Sequence, residues 1–266
     1  MPTLNPDYES SRFAEGVRKQ TLKPKEWVVI REPPGERWGQ PWARNEGLGR
    51  ITADIVAFTD DDCQPDPDWL ENLVKPFEDP AVVGVEGHVY SDAVVPPGHY
   101  YPAITRARNF RYRTANMAYR ADLLRKLGGF DRRYGFYWRE DTDMAWRVLE
   151  HGRIVYEPRA RVYHPPIPVK GKIAWENDAL LAHKFPDRYV ELVAGLYNRR
   201  DVASGNFFRH ARLLRKGARK HGVRVDVGRL YAKGFLIALN WNLYRLTGLG
   251  LFDRVPARYG LSERGR

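Results

Sequence analysis

Three consecutive carboxylates, Asp60-Asp61-Asp62, stand directly behind the apolar run Ile55-Val56-Ala57-Phe58. An apolar run of this length, bounded by turn residues, reads as a buried strand. Where such a strand leaves the core, three carboxylates repel one another unless a cation sits among them. Carboxylate clusters of this kind suit hard ions such as Mg²⁺ or Mn²⁺. In open α/β sheets the carboxyl ends of strands are also where ligands bind. The plain alternative is a solvated turn feeding the next helix, with Asp66 as its cap and Pro67 in its first position. That accounts for Asp66 and Asp68 and leaves Asp60 to Asp62 unexplained.

The sequence around the triplet alternates helix and strand. Residues 10–20 read as a helix, Trp27 to Ile30 as a strand, and 41–48 as a helix with proline in its first turn. After the strand at 55–58, residues 67–77 place Leu70, Leu73, Val74 and Phe77 on one helical face. Residues 82–85 read as a strand, and 121–127 as a helix stopped by Gly128-Gly129. This order predicts an α/β domain built on a mainly parallel sheet.

A second acidic cluster, Glu140-Asp141-Thr142-Asp143, opens a helix predicted over 141–150. Acids in a first helical turn are favoured by the helix dipole, which is explanation enough for some of them. Helical spacing separates them, however. Met144, Ala145 and Val148 share a face with Asp141, while Asp143 is expected on the opposite side. A carboxylate on an apolar, inward face is costly unless paired or used. At a cleft edge it is a candidate general base.

Several segments together resemble the family 2 glycosyltransferases. Residues 54–70 (DIVAFTDDDCQPDPDWL) are similar to that family's DxD segment, and Gly128-Gly129-Phe130-Asp131 followed by 139–147 (REDTDMAWR) to its GGFD and ED segments. Residues 114–120 resemble the strand on the acceptor side, and 42–48 (WARNEGL) the helix near the donor diphosphate. The resemblance covers roughly residues 2–165. It implies a GT-A fold, Rossmann-like, with a mainly parallel sheet flanked by helices. It also implies a nucleotide-sugar donor, Mn²⁺ or Mg²⁺, and inverting transfer to a hydroxyl acceptor. Asp60 and Asp62 correspond to the DxD pair that manages the metal and the donor, and His164 to a histidine that reaches the metal or pyrophosphate. Asp141 corresponds to the catalytic base, with Glu140 beside it on the acceptor. Arg44, Thr3 and Glu32 fall on the donor side, and Asn116 and Trp138 on the acceptor side.

Two departures accompany the match. The segment Pro2-Thr3-Leu4-Asn5 follows an apolar strand in the family, whereas here it follows Met1. The expectation is therefore an upstream start or a weakened domain. After Ile30 the family places an Asp that reads the nucleobase; this chain has Arg31-Glu32-Pro33-Pro34, with Glu32 as the substitute.

Charge divides the chain at the end of that domain. Residues 1–164 hold 24 Lys/Arg and 25 Asp/Glu, and residues 165–266 hold 20 and 8, so the net +11 belongs to the C-terminal part. The expected organisation is a catalytic domain over 1–165 and a basic, mostly helical extension over 166–266. The basic stretch 209–224 suits an anionic membrane surface. The apolar run 234–244 has 11 residues between Lys233 and Arg245, too short to span a bilayer. It reads as an interfacial helix or as one packed on the catalytic domain. One cysteine, Cys63, excludes an intrachain disulfide, and nothing at the N-terminus resembles a signal peptide. The expected location is the cytoplasm, peripheral to the inner face of the cell membrane, with a glycan or lipid-linked acceptor and a role in cell-surface polysaccharide synthesis. A nucleotidyltransferase would need a Gly-rich phosphate loop near the start. A non-catalytic nucleotide-sugar-binding or membrane-associated scaffold is the rival of another class. Nucleic acid is disfavoured as a partner, because the aromatics of the basic tail are not interleaved as a stacking platform requires.

Overall fold

The computed structural model describes residues 2–3, 9, 11–32, 36, 38–92, 94, 96, 99–100, 112–135, 139–168, 175–189, 192, 206–229 and 232. The chain divides into two compact units, Met1–Gly171 and Lys172–Arg266.

In the first unit, β1 (Pro2–Thr3) pairs in parallel with β2 (Ile30–Arg31), bracketing α1 (Arg12–Arg18). Ser11 caps α1 by accepting from the Ala14 amide. The strand expected over 27–30 is thus confined to its last residue and the one after it. Next come α2 (Gln40–Arg50), β3 (Ile55–Phe58), β4 (Gln64–Pro65), α3 (Trp69–Val74) and a 3₁₀ turn at Lys75–Glu78. The long β5 (Val82–Tyr90), β6 (His99–Tyr100), β7 (Met117–Arg120), α4 (Ala121–Lys126), α5 (Glu140–Val148), β8 (Arg153–Tyr163) and β9 (Ile167–Pro168) complete the unit.

The main sheet has five strands in the order β3-β7-β5-β8-β4. β5 and β8 run parallel, while β7 is antiparallel to both β3 and β5, and β4 is antiparallel to β8. The α/β architecture is therefore as expected, but the sheet is mixed rather than mainly parallel. Alternating helices and strands imply parallel neighbours only when consecutive strands lie side by side. Here β7 inserts between β3 and β5, which share a direction without pairing. One face of the sheet carries Val85, Val89, Ala118, Ala160 and Val162, packed beneath Trp69, Leu73 and Phe77 with Cys63.

Two local expectations are corrected. Asp66 does not cap α3, whose N-cap is Asp68, which makes no side-chain capping bond. The Asp66 carboxylate is instead engaged by the Tyr90 hydroxyl at 2.6 Å and by Arg161 at 3.5 Å. Asp143 is not on an outer face: it is fully buried, because α5 is covered on nearly every side. Its charge is met by Arg147 Nε at 2.8 Å and by the Tyr134 hydroxyl at 3.1 Å.

In the second unit, α6 (Trp175–Lys184) packs on α7 (Asn206–His221). Ala179, Leu180, Leu181 and Ala182 of α6 and Ala211, Leu214 and Ala218 of α7 are buried. A Cβ on Gly217 would lie 2.4 Å from the Trp175 carbonyl oxygen, so the helices approach closely there. The apolar run 234–244 lies outside the described residues. Among the described residues no helix is long and apolar enough to cross a membrane.

Candidate active site

The triplet turn is closed by the Cys63 amide donating to the Asp60 carbonyl, and β4 ties the chain just beyond it to the end of β8. That pairing sets His164, the residue after β8, beside the triplet. The His164 backbone N–H is fixed on the Tyr90 carbonyl, and its Nδ1 lies 2.8 Å from the Pro165 carbonyl oxygen. A carbonyl only accepts, so Nδ1 carries the proton and Nε2 is left as a lone pair. Nε2 stands 3.7 Å from an Asp62 oxygen.

Ligand atoms of Asp60, Asp62, Cys63 and His164 all lie within 4.8 Å of one another. Two carboxylates and an imidazole of fixed tautomer fit Mn²⁺ or Mg²⁺. Burial, and then the neighbouring Asp62 charge, raise the Asp60 carboxyl above its usual range, a strain that a cation between the two would relieve. Cys63 is the soft member of the group and a poor match for these hard ions, and burial, with Asp60 and Asp62 nearby, pushes its thiol well up.

Arg44 of α2 carries the site toward its other half. It is 3% exposed, donates from Nη1 to Glu140 at 2.8 Å, and holds Nη2 3.9 Å from Asp60. Gln40 accepts a further bond from Nη2 at 3.0 Å, and the guanidinium lies over the Phe130 ring. One buried cation therefore bridges the triplet and the Glu140-Asp141 pair.

Asp141 stands in the first turn of α5, behind Arg139, which adopts φ +79°. One of its oxygens accepts from the Thr142 amide at 2.6 Å. Burial first, then the adjacent Glu140, raise its pKa to about 7, against the opposing pull of Arg44. A half-buried carboxylate of that proton affinity is suited to accept a proton near neutral pH.

The loop before α5 is locked by reciprocal bonds. Asn45 of α2 donates to the Phe130 carbonyl at 2.8 Å and accepts the Phe130 amide at 2.7 Å. Arg147 reaches from α5 to the carbonyls of Leu127 and Gly129. These contacts hold the Gly128–Asp131 segment, α2 and α5 as one body.

The remaining predicted residues are placed less uniformly. Thr3 lies in β1 beside Arg31, its side chain outside the described residues, as is Trp138 altogether. Glu32 accepts the Gly39 amide at 2.7 Å, at the start of α2. Asn116 departs from the acceptor-side expectation. It is fully buried, accepts from the Trp69 indole, and donates both amide hydrogens to the His88 and Ala160 carbonyls. Its carboxamide joins α3, β5 and β8 internally. Two further polar groups, absent from the sequence reading, lie near Asp141: Glu86 of β5 and Tyr119 of β7, both fully buried. The signal for Glu86 was a single acid within the apolar run 82–90.

The Glycosyl transferase family 2 profile matches residues 9–135, which include Arg44, Asp60 and Asp62. A pre-mycofactocin glycosyltransferase of Mycobacterium tuberculosis is 34% identical over 142 residues, covering 47% of this chain and 30% of the relative. A glucosyl-dolichyl phosphate glucuronosyltransferase of Haloferax volcanii is 25% identical over 215 residues, covering 63% of this chain and 68% of that one. The chain thus spans about a third of the mycobacterial relative's length and about two thirds of the archaeal one's. In fold, the chain is similar to residues 1–349 of S. aureus TarS in complex with UDP-GlcNAc. That likeness has a TM-score of 0.58 at 15% identity, over 95% of this chain and 91% of that one. The DxD turn, the GGFD loop and the acidic start of α5 thus stand on a GT-A architecture, and residues 9–135 match the model of glycosyl transferase family 2.

Proposed function

We propose that the chain is a metal-dependent glycosyltransferase that moves a sugar from a nucleotide-sugar donor to a hydroxyl acceptor with inversion. The observation that carries this reading is Arg44, which contacts both the Asp60 carboxylate and Glu140 and so makes two distant acidic motifs one site. Asp60, Asp62 and His164 would hold Mn²⁺ or Mg²⁺, which when bound neutralises the charge that develops on the departing diphosphate. Arg44 adds fixed positive charge beside that leaving group. Asp141 accepts the proton of the acceptor hydroxyl as that oxygen bonds to the anomeric carbon. The bond from that carbon to the diphosphate oxygen breaks, and the nucleoside diphosphate leaves with the electron pair. Attack from the face opposite the leaving group inverts the anomeric centre.

Residues 1–165 form the catalytic domain in this reading, and 166–266 a basic extension. The acceptor is a lipid-linked or growing glycan in cell-surface polysaccharide synthesis, met at the cytoplasmic membrane surface. Support for the lipid comes from the archaeal relative, named for a dolichyl phosphate substrate, and from the basic outer face of α7. Turnover measured across a panel of nucleotide sugars with Mn²⁺ or Mg²⁺ tests the activity. The expected result is release of a nucleoside diphosphate from at least one donor, abolished by chelation. A folded chain that turns over none of them would overturn the reading.

A further inference from the structure

Glu86 lies at the centre of the main sheet with no role in the chemistry above. The β5–β7 register pairs Gly84 with Tyr119 and Glu86 with Met117, and residues 84 and 86 share one face of β5. Gly84 leaves room for the Tyr119 ring, to which a Cβ would come within 3.0 Å. Tyr119 and Glu86 are both 0% exposed, and α5 packs on β5. Glu86 Oε1 accepts the Tyr112 amide at 2.9 Å. Among the described residues, Glu86 Oε2, the Tyr119 hydroxyl and Glu140 Oε2 are buried with no hydrogen-bond partner. Buried polar atoms left in this state are costly unless water or substrate completes them, and Glu86 and Tyr119 both feel the Asp141 charge.

We propose that Glu86 is a positioning residue for Asp141: its protonated carboxyl donates from Oε2, directly or through one buried water, to keep the Asp141 carboxylate ionised and oriented. This rests on the glycosyltransferase reading, because it assigns Asp141 a proton to accept. The groups acting on Glu86 are the Tyr112 and Arg113 amides and the Arg113 side chain before β7, Tyr119 on β7 and Asp141 on α5, while Glu140 and Arg44 act in turn on Asp141. Burial, with the Asp141 charge, raises the Glu86 pKa to about 8, so the proton is in place at neutral pH. The active form is then Asp141 ionised with Glu86 neutral. Ionisation of Glu86 replaces a donor with a like charge.

The test compares the wild-type chain with E86Q and E86L. Folded Glu86 keeps a proton that the unfolded chain releases near 4.5, so its contribution to stability is present below that pH and lost as pH rises toward 8. E86Q therefore gains stability relative to wild type across that window, in urea unfolding that needs no turnover. In kinetics, wild-type kcat falls on the alkaline side, whereas E86Q keeps the acid limb and loses the alkaline fall. E86L lowers kcat by about 10- to 100-fold with KM for the nucleotide sugar unchanged. An E86Q pH profile superimposable on wild type, or an E86L chain with full kcat, overturns the proposal and leaves Glu86 as a support for the Tyr112 turn. Absence of turnover in the wild type instead removes the glycosyltransferase reading, and this role with it.

Discussion

Arg44 shows how one buried side chain decides whether the site holds together. Its side chain is 2% exposed and its partner Glu140 4%, so neither charge is solvated if the other is removed. Breaking a buried pair typically costs about 3–5 kcal/mol, whereas replacing both members with apolar residues is often close to neutral. Chemical denaturation should therefore show R44L destabilised by about 3 kcal/mol, and R44L/E140L restored to within about 1 kcal/mol of wild type. A double variant no more stable than the single one would contradict this. Residues at this scale were unevenly legible in the sequence. Asp60, Asp62 and Asp141 stood out because each is a carboxylate where local pattern predicts an apolar or core-edge environment. Asp143 was misplaced, because helical periodicity assigns one inner face, and α5 is covered nearly all round. Family likeness points Asn116 toward the acceptor, whereas its amide is spent on Trp69, His88 and Ala160, contacts that come from a helix and two strands distant in sequence.

Elements bring these residues together through a few rigid connections. The Gly128-Gly129 pair ends α4 and turns the chain toward α5, with φ +78° and +73°. Both positions strain any residue with a side chain. They differ in surroundings: a Cβ on Gly128 meets nothing within 4 Å, and one on Gly129 lies 2.3 Å from the Asn45 oxygen that holds Phe130. G128A should cost about 1 kcal/mol in unfolding free energy, from backbone strain alone. G129A should cost clearly more, since Asn45 must also release the loop. Equal costs would mean that the Asn45 clamp contributes nothing. Some elements were legible, since β3 coincides with the apolar run at 55–58 and α2 with the proline-started helix, but the long β8 was not. Strand direction was not, because β7 enters between β3 and β5 through pairings that leave no local signature. Likewise β5 extends to Tyr90, past Glu86. A lone acid in mid-strand reads as an end until burial shows it enclosed.

At the scale of the whole molecule, charge and chemistry occupy different stretches of chain. The acidic motifs lie in the near-neutral first 164 residues, and the positive excess lies beyond them. On α7, Arg212, Arg215, Lys216, Arg219 and Lys220 are exposed, while Ala211, Leu214 and Ala218 are buried. A helix so divided favours anionic surfaces, and its attraction to them weakens with salt. Co-sedimentation with vesicles should therefore require anionic lipid, fall as salt rises, and fall again when Arg212, Arg215 and Arg219 become Gln. Binding to neutral vesicles of equal strength would contradict a charge-driven contact.

The division of labour between the triplet and Asp141 is tested most directly by separating donor binding from transfer in one variant. In D141N the Arg44 bridge and the Asp60, Asp62 and His164 cluster are untouched. Calorimetry with Mn²⁺ and the nucleoside diphosphate of the active donor should therefore give wild-type affinity. Transfer by the same protein should fall by about 10²- to 10⁴-fold, the usual contribution of a positioned base. Transfer at the wild-type rate by a folded D141N chain would contradict the account.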